Sequence, residues 1–539
     1  MAYQAQRRLR PPQELFALRD ELLDWWQSPG QAVYVYGGAC QARRAREVAS
    51  DFAQRLGPRL AGGSPQDVGL YTAGCHGLCS VGPTVYVAPL GVFYVDLTVD
   101  DVGPIVRRTL GEGEILDDLT LWDAATGRHI PLKQDVPFLR LQTRRLMRSC
   151  GEVDPRRIED SLRRGGYSAL ALALEGMATE DIAAVVEASG LRGRGETDAP
   201  CAERWAAFTK ASAARRRLTA YVKRWDTAAA TDCTLLEGDP HLVLEGMALA
   251  ALATGCEVGQ LLVPPGRDVA LATMEEAIEQ ACAYGLLGEN ILGTRFSFTV
   301  EVCASRPLRW PTENEGEGWS ASGSCELRHN VETLANLPGL VARGAAEFRS
   351  VGPQECPGTR LVSLGGDLRY RGVVEVPCGT PVVDIIEKLG GGGKSGESPQ
   401  GVCLGGPAGR ILPMSLLART AYGVGPDAAD VVAFENPDSV VSRVRQAAAY
   451  EAEEACGRCA PCRIGTKRVV EILDELLLCE GSPSAVADLR GIGEALTLTA
   501  GCDQGAHCAD SVLSAIASFE ETFLAHLSGG PCPSPAREA

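Results

Sequence analysis

The sequence is poor in basic charge, in long apolar runs and in the marks of export. Its 52 Lys and Arg are outnumbered by 69 Asp and Glu, for a net charge of −17 and a pI near 5.0. A nucleic-acid partner demands a basic face, so that class is excluded. No apolar run reaches the roughly eighteen residues of a membrane-spanning helix, because Glu245 breaks the best stretch, 242–252. The opening MAYQAQRRLRPPQELF has no apolar segment behind Arg7-Arg8, and no export signal is expected. Internal repeats are absent too. Twenty cysteines make up under a twentieth of the chain, too few for a disulfide scaffold of this length. Many stand singly in apolar or Ala-rich surroundings, such as Cys256, Cys282 and Cys479, where a thiol serves as a small buried hydrophobe. A soluble cytoplasmic protein in a reducing compartment is expected, where thiols survive to bind iron.

Four of those cysteines are arranged differently. Ala-Cys456-Gly-Arg-Cys459-Ala-Pro-Cys462-Arg-Ile-Gly sets three thiolates at C-x2-C-x2-C spacing on one tight loop, and Cys502 follows in Ala-Gly-Cys-Asp-Gln-Gly. Three sulfurs from one turn reach three corners of a cubane and a remote cysteine closes the fourth, as in [4Fe–4S] ligation. A structural zinc site is the rival, but zinc more often takes two separated pairs. Cys508 competes with Cys502 as the closing ligand. Arg458 and Arg463 add positive charge beside the thiolates, and the helix expected over 466–478 turns its N-terminus toward them.

At 539 residues the chain exceeds one ordinary core, and about three to five domains are expected. Apolar periodicity and turn residues predict a helix over 12–28, a strand over 32–36, a helix over 41–56 and strands over 68–72, 84–88 and 91–95. A helix over 100–110 completes this unit. Residues 111–150 read as a connector with little periodicity. Helices over 240–255 and 272–286 alternate with strands over 260–263 and 296–302, the pattern of a parallel α/β layer. The polar segment 306–329 reads as a loop. A small β-rich unit spans 358–425, with strands near 360–364 and 372–376 and a flexible GGGGKSGES stretch over 390–398. The last hundred residues read as helical, and 529–539 as a disordered tail.

The order of these parts resembles the NADH-binding flavoprotein subunits of respiratory complex I. With its N-terminal extension the chain is also similar to the diaphorase large subunits of NAD-linked hydrogenases and formate dehydrogenases. The motifs that carry the likeness are Ser149-Cys150-Gly151, Gly165-Gly166-Tyr167, Ser189-GLRGRG, Asp239-Pro-His-Leu-Val-Leu-Glu-Gly-Met247, Gly285-Leu-Leu-Gly-Glu-Asn-Ile-Leu-Gly293, Asn330-Val-Glu-Thr-Leu-Ala-Asn336 and the cysteine triplet. The resemblance implies a multidomain α/β fold. Its expected parts are a thioredoxin-like ferredoxin domain over 1–110, the connector over 111–150 and a Rossmann-like flavin-type domain over 151–340. A ubiquitin-like β-grasp domain over 345–425 and a helical [4Fe–4S] domain over 430–528 follow.

Three departures from the family pattern strike one pocket. The family continues GLRGRG with further glycines that let backbone amides approach a phosphate. Here Glu196-Thr-Asp198 follows, and two carboxylates oppose a dianion. The family's Asn-Ala-Asp-Glu-x-Glu-Pro-Gly loop is replaced near 221–232, and a third pocket segment is missing before Asn330. FMN and NAD are therefore expected to be absent, with Gly193 and Gly195 as the remnant of the flavin loop. In the N-terminal domain Cys40, Cys75 and Cys79 match three of the four [2Fe–2S] ligands, while Tyr36 stands where the first is expected. Two readings stay open there: a [2Fe–2S] cluster with an unusual fourth ligand, His76 being the candidate, or a domain kept for packing. The leading functional reading is an electron-transfer subunit of a multisubunit oxidoreductase, without catalysis of its own. Its expected partners are redox subunits of a hydrogenase-, formate dehydrogenase- or complex I-like assembly, through which it would meet a membrane. The alternatives are an active NAD(P)H dehydrogenase with a rebuilt FMN site, and a structural pseudo-subunit.

Overall fold

Gln-Ala-Val-Tyr-Val-Tyr, β-branched and aromatic, suits a pleated and half-buried surface. It forms strand β1, Gln31–Tyr36, after helix α1, Pro12–Trp25. Helix α2, Ala42–Leu56, lies in the crossover that a parallel neighbour requires. That neighbour is β2, Val68–Ala73, while β3, Thr84–Ala88, and β4, Val92–Tyr94, close the sheet antiparallel in the order β2-β1-β3-β4. The computed structural model describes residues 8–527 apart from 26–29, 39–41, 58–67, 124–125, 196–197, 212–214, 224–230, 305–323, 407–408, 421–422, 426–428, 437–439, 456 and 502. The expected tail, 529–539, lies outside the described residues.

Residues 111–150 are more than a connector. Leu121–Asp123 pairs with Arg128–Ile130, and single bridges join Tyr94 to Thr120 and Val92 to Leu132. The segment thus continues the edge of the first sheet, which a search for periodicity misses because each strand is three residues long.

The central unit is a four-stranded parallel layer. Its strands are β5, Arg215–Tyr221; β6, Val258–Val263; β7, Thr299–Ala304; and β8, Ser324–Asn330, in the order β8-β5-β6-β7. Strand β8 overturns the loop expected up to 329. Its polar residues alternate with Cys325, Leu327 and His329, each at most 1 % exposed, so one face is core. Helix α3, Ser168–Gly176, precedes the layer, and helix α4, Pro240–Thr254, lies between β5 and β6. Asp239 caps α4 at the Leu242 N–H, Pro240 opens it, and Gly255 ends it in the left-handed region. Glu245, which broke the apolar run in the sequence, is the buried anchor of α3: its carboxylate accepts the N–H groups of Tyr167, Ala169 and Leu170 at 2.9, 2.8 and 3.1 Å. Helix α5, Val331–Arg343, crosses α4 closely at Gly246, where a Cβ would lie 2.1 Å from the Leu334 carbonyl oxygen.

Next comes a mixed five-stranded sheet. Its strands are β9, Thr359–Gly366; β10, Gly372–Pro377; β11, Gly401–Leu404; β12, Arg410–Pro413; and β13, Asp430–Phe434, in the order β10-β9-β13-β11-β12. Only β9 and β13 run parallel. The GGGGKSGES stretch is pinned rather than loose: Lys394 pairs with Asp367 at 2.8 Å, and the Gly393 N–H donates to the Glu397 carbonyl at 3.0 Å. The last unit is helical, with α6, Val440–Glu454; α7, Ala460–Leu477; α8, Ala485–Thr499; and α9, Asp503–Ala525, packed round one apolar cluster. No helix among the described residues is long and apolar enough to cross a membrane.

Candidate functional site

Helix α7 begins at the cysteine triplet. Cys459 is its N-cap residue, Pro461 lies in the first turn where no N–H is needed, and Cys462 faces inward at 2 % exposure. Gly457, at φ 72°, makes the tight entry that a side chain would strain. The Arg463 guanidinium donates to the Gly457 carbonyl at 3.2 Å, which ties the loop to the helix. Gly501 comes up against this loop, for a Cβ on it would lie 3.6 Å from the Cys459 Cβ. The chain entering position 502 therefore runs beside the triplet. Cys456 and Cys502 themselves lie outside the described residues, and among the described residues no three His, Cys, Asp or Glu converge as a metal site. The donor set still suits a thiolate-ligated cluster, since two cysteines and the neighbour of a third meet at a helix N-terminus. Cys508, the rival closing ligand, is fully buried in the apolar cluster. Burial pushes its thiol well up, and Glu451 and Cys462 push it further the same way.

The loop that begins Gly190-Leu-Arg-Gly193-Arg-Gly195 is folded on itself. The Gly193 N–H donates to the Ala199 carbonyl at 2.9 Å, and the Arg194 N–H donates to the Thr333 hydroxyl at 2.8 Å. A Cβ at Gly195 would lie 2.3 Å from the Tyr221 phenol oxygen and 2.9 Å from the Asn330 Cβ. The space that glycine leaves open is filled by this chain's own side chains, and two of the amides are spent. Those two amides are therefore not free to receive a phosphate. Asp198 works differently from the sequence expectation: Arg192 meets its carboxylate at 2.8 Å, so its charge is compensated. Glu196, the other carboxylate, lies outside the described residues.

Behind the loop sits a buried charge network that the sequence did not reveal. The Lys223 ammonium is 2.8 Å from Glu332 and 3.7 Å from Asp232. Asp232 also accepts from the Lys223 N–H and the Asn330 amide, each at 2.6 Å, and Glu332 accepts from the Leu361 N–H of β9 at 2.9 Å. Burial pulls the ammonium down, but Glu332 and Asp232 outweigh it and hold it above its usual value. The available signal was Asn330-Val-Glu332, whose polar residues open helix α5 directly after strand β8.

In the N-terminal unit Cys75 and Cys79 are both partly exposed, on a loop stitched to the mixed sheet by Val373 N–H to Gly77 carbonyl, 2.7 Å, and Cys79 N–H to Arg371 carbonyl, 3.0 Å. Cys75 lies close under Gly38, where a Cβ would be 3.2 Å from its Sγ. Cys40 lies outside the described residues. His76 is not placed to ligate metal. Its Nδ1 accepts the Leu78 N–H at 3.2 Å, its Nε2 shares a 2.7 Å hydrogen bond with Thr84, and the ring packs edge-on against Tyr36. Burial, with Lys133 and Arg144 nearby, lowers its pKa to about 3.

That shift predicts an acid-labile fold. The unfolded chain binds the His76 proton below about pH 6.5 while the folded one does not until about pH 3, so stability is lost as pH falls through that window. Between pH 6.5 and pH 4 the loss is about 3 kcal/mol from this group. Hydrogen-exchange protection of the strands over 31–36 and 84–88, followed in the wild type and His76→Gln across that range, is expected to show a flatter pH dependence in the variant. Parallel curves would refute the assignment.

Likeness to known proteins extends over both the cysteine domain and the flavin-type domain. Residues 442–526 match the NADH-ubiquinone oxidoreductase-F iron-sulfur binding region, and 186–338 match the Nuo51 FMN-binding domain. The chain is 32 % identical over 422 residues to the NADP-reducing hydrogenase subunit HndC of Solidesulfovibrio fructosivorans, covering 73 % of this chain and 85 % of that one. It is 30 % identical over 397 residues to an F-type NADH-quinone oxidoreductase subunit of Rhizobium meliloti, covering 68 % and 94 %. A chain of the NAD+-reducing [NiFe]-hydrogenase in its H2-reduced state shares the fold, with a TM-score of 0.60 at 20 % identity over 96 % of this chain and 88 % of that one. With its 4Fe–4S binding region and its FMN-binding-type domain, the chain belongs to the family of the F-type NADH-quinone oxidoreductase subunits and their hydrogenase counterparts.

Proposed function

We propose that this chain is an electron-relay subunit of a multisubunit oxidoreductase that holds a [4Fe–4S] cluster on Cys456, Cys459, Cys462 and Cys502 and does not oxidise NADH itself. The observation that carries this reading is the contrast between the two sites. At the triplet the tight Gly457 turn, the helix N-terminus and the neighbouring Gly501 leave an anionic, thiolate-ligated group well supported. At the flavin-type loop the Tyr221 phenol occupies the glycine space, and the Gly193 and Arg194 amides are engaged internally. A cluster bound at the triplet supplies one-electron redox chemistry. The chain's part is to hold the thiolates, shield Cys462 and place Arg463 beside the loop.

The domains take the roles the resemblance implied: a thioredoxin-like unit over 1–110, a Rossmann-like flavin-type unit over 151–340, a β-grasp unit over 345–425 and the cluster domain over 430–528. The N-terminal unit holds a [2Fe–2S] cluster only if a ligand other than His76 joins Cys40, Cys75 and Cys79. A relay without substrate chemistry needs a partner on each side. The relatives' names, subunits of a hydrogenase and of NADH-quinone oxidoreductases, support redox subunits of such assemblies as those partners; the cytoplasm is our proposed location. The match of 186–338 to an FMN-binding domain favours a second reading, an NAD(P)H dehydrogenase with a rebuilt pocket.

Acid extraction of the purified protein followed by flavin fluorescence separates the two. Under the relay reading the extract holds no stoichiometric FMN, and NADH bleaches no flavin band. A full equivalent of FMN, or acceptor reduction by NADH faster than about one turnover per second, would promote the dehydrogenase. Iron and sulfide analysis of the anaerobic protein tests the structural pseudo-subunit, which predicts neither.

A further inference from the structure

Two cysteines that no motif marks come together where the flavin-type loop meets the mixed sheet. The turn 351–358 is drawn closed by the Gly358 N–H to the Val351 carbonyl, 2.7 Å, and the Cys356 N–H to the Pro353 carbonyl, 3.2 Å. Strands β9 and β10 end on the pair Thr359 and Pro377, and the Cys378 N–H extends the ladder to the Gly358 carbonyl at 3.1 Å. The two side chains are thereby brought together so that the Cys378 S–H faces the Cys356 sulfur as donor, with Cys356 partly exposed and Cys378 only 3 % exposed. Two buried guanidiniums face them. Arg194 donates to the Cys356 Sγ at 3.5 Å and to the Pro357 carbonyl at 2.6 Å, and Arg360 donates to the Gly193 carbonyl at 3.2 Å. The Arg194 Nε and the Arg360 Nε and Nη1 are buried with no partner among the described residues.

We propose that Cys356 and Cys378 are a redox-active dithiol, oxidised to a disulfide by a hydroperoxide. The Cys356 thiolate attacks the peroxide, an S–O bond forms as the O–O bond breaks, and the departing oxygen takes up a proton as water or alcohol. Cys378 then attacks the Cys356 sulfur, an S–S bond replaces the S–O bond, and water leaves with the thiol proton. Two electrons and two protons pass from the thiols to the peroxide. The division of labour follows from position. The hydrogen bond from Cys378, together with Arg194 and Arg360, outweighs burial and lowers the Cys356 thiol to about 6, whereas the buried Cys378 is held high. Elsewhere burial pushes Cys150, Cys201, Cys256 and Cys403 up, which keeps them protonated and inert. Two thiols with no third His, Cys, Asp or Glu converging on them, among the described residues, suit a two-electron couple better than a metal. Oxidation withdraws the negative charge from between the guanidiniums and leaves Arg194 on the Pro357 carbonyl and Arg360 on the Gly193 carbonyl, so it loosens residues 190–195. The dithiol chemistry does not depend on the relay reading.

The test is residue-resolved alkylation and mass spectrometry on the full chain, purified anaerobically, with hydrogen peroxide as the probe. At pH 6 Cys356 is expected to react with iodoacetamide about tenfold faster than an ordinary thiol, an advantage that disappears by pH 8 as ordinary thiols ionise. One equivalent of peroxide should yield a dithiothreitol-reversible cross-link between the Cys356 and Cys378 peptides, with faster amide exchange over 190–195. In Cys378→Ser the reaction should stop at a dimedone-trappable sulfenic acid on Cys356, and in Cys356→Ser neither product should form. A Cys356 alkylation rate that matches ordinary thiols at pH 6, or peroxide products confined to other cysteines, would overturn the proposal.

Discussion

Cys459→Ser is expected to remove most of the low-temperature EPR signal of the reduced protein, together with the bulk of its iron and sulfide. Cys459 caps the helix that carries Cys462, so its thiolate sits where the helix dipole and the loop converge. Serine is a poor substitute for a soft thiolate toward iron, and three cysteines from one turn do not saturate a cubane. Cys502→Ser is expected to match it, because Gly501 lies against Cys459 and delivers the next residue to the same place. Cys508→Ser is the control and should keep the signal, since that thiol is fully enclosed in the apolar cluster with Ala509, Val512 and Ile516. Loss of the signal in Cys508→Ser with retention in Cys502→Ser would reverse the assignment of the closing ligand.

Lys223→Met should destabilise the central unit by about 3–5 kcal/mol, because removing one member of a buried ion cluster leaves the others uncompensated. The Glu332 and Asp232 side chains, which flank the Lys223 ammonium, have no exposed surface to turn toward water. Glu332 also accepts from the Leu361 N–H, so the damage should spread across the seam into β9. A multidomain chain does not unfold in two states. Hydrogen exchange of the strands over 215–221, 258–263 and 359–366 is therefore the suitable measurement, and protection should fall in all three. Loss in the first two alone would show that Glu332 does not couple the units, and unchanged protection would remove the network from the account of stability.

Much of the architecture could be read from local pattern. The strand and helix positions of the first unit, two of the four strands of the parallel layer and the helical end follow from periodicity and turn residues acting over a few positions. Strand β5 was missed because its three leading arginines hide a buried second half. Strand β8 escaped because its polar residues hide one apolar face, and the strands over 121–130 because they are too short to show a period. The pinned stretch over 390–398 looked flexible because glycine permits many conformations. What holds it is Asp367, whose identity says nothing about where Lys394 will come to rest.

The sequence by itself determined the family, from the order of its motifs, and the reach of the cysteine triplet, because ligands on one turn have their separations set by the backbone. It also set the net charge of −17 and the lack of a long apolar run, since both are matters of composition. Only the tertiary structure decided what happens where distant segments meet. It turned the Tyr221 phenol into the space beside Gly195, paired Asp198 with Arg192, committed both ring nitrogens of His76, and brought Cys356 against Cys378. A side chain's charge and reactivity depend on the groups within a few ångströms of it. For these residues, several of those groups come from other strands and loops, so packing rather than spacing determines the chemistry.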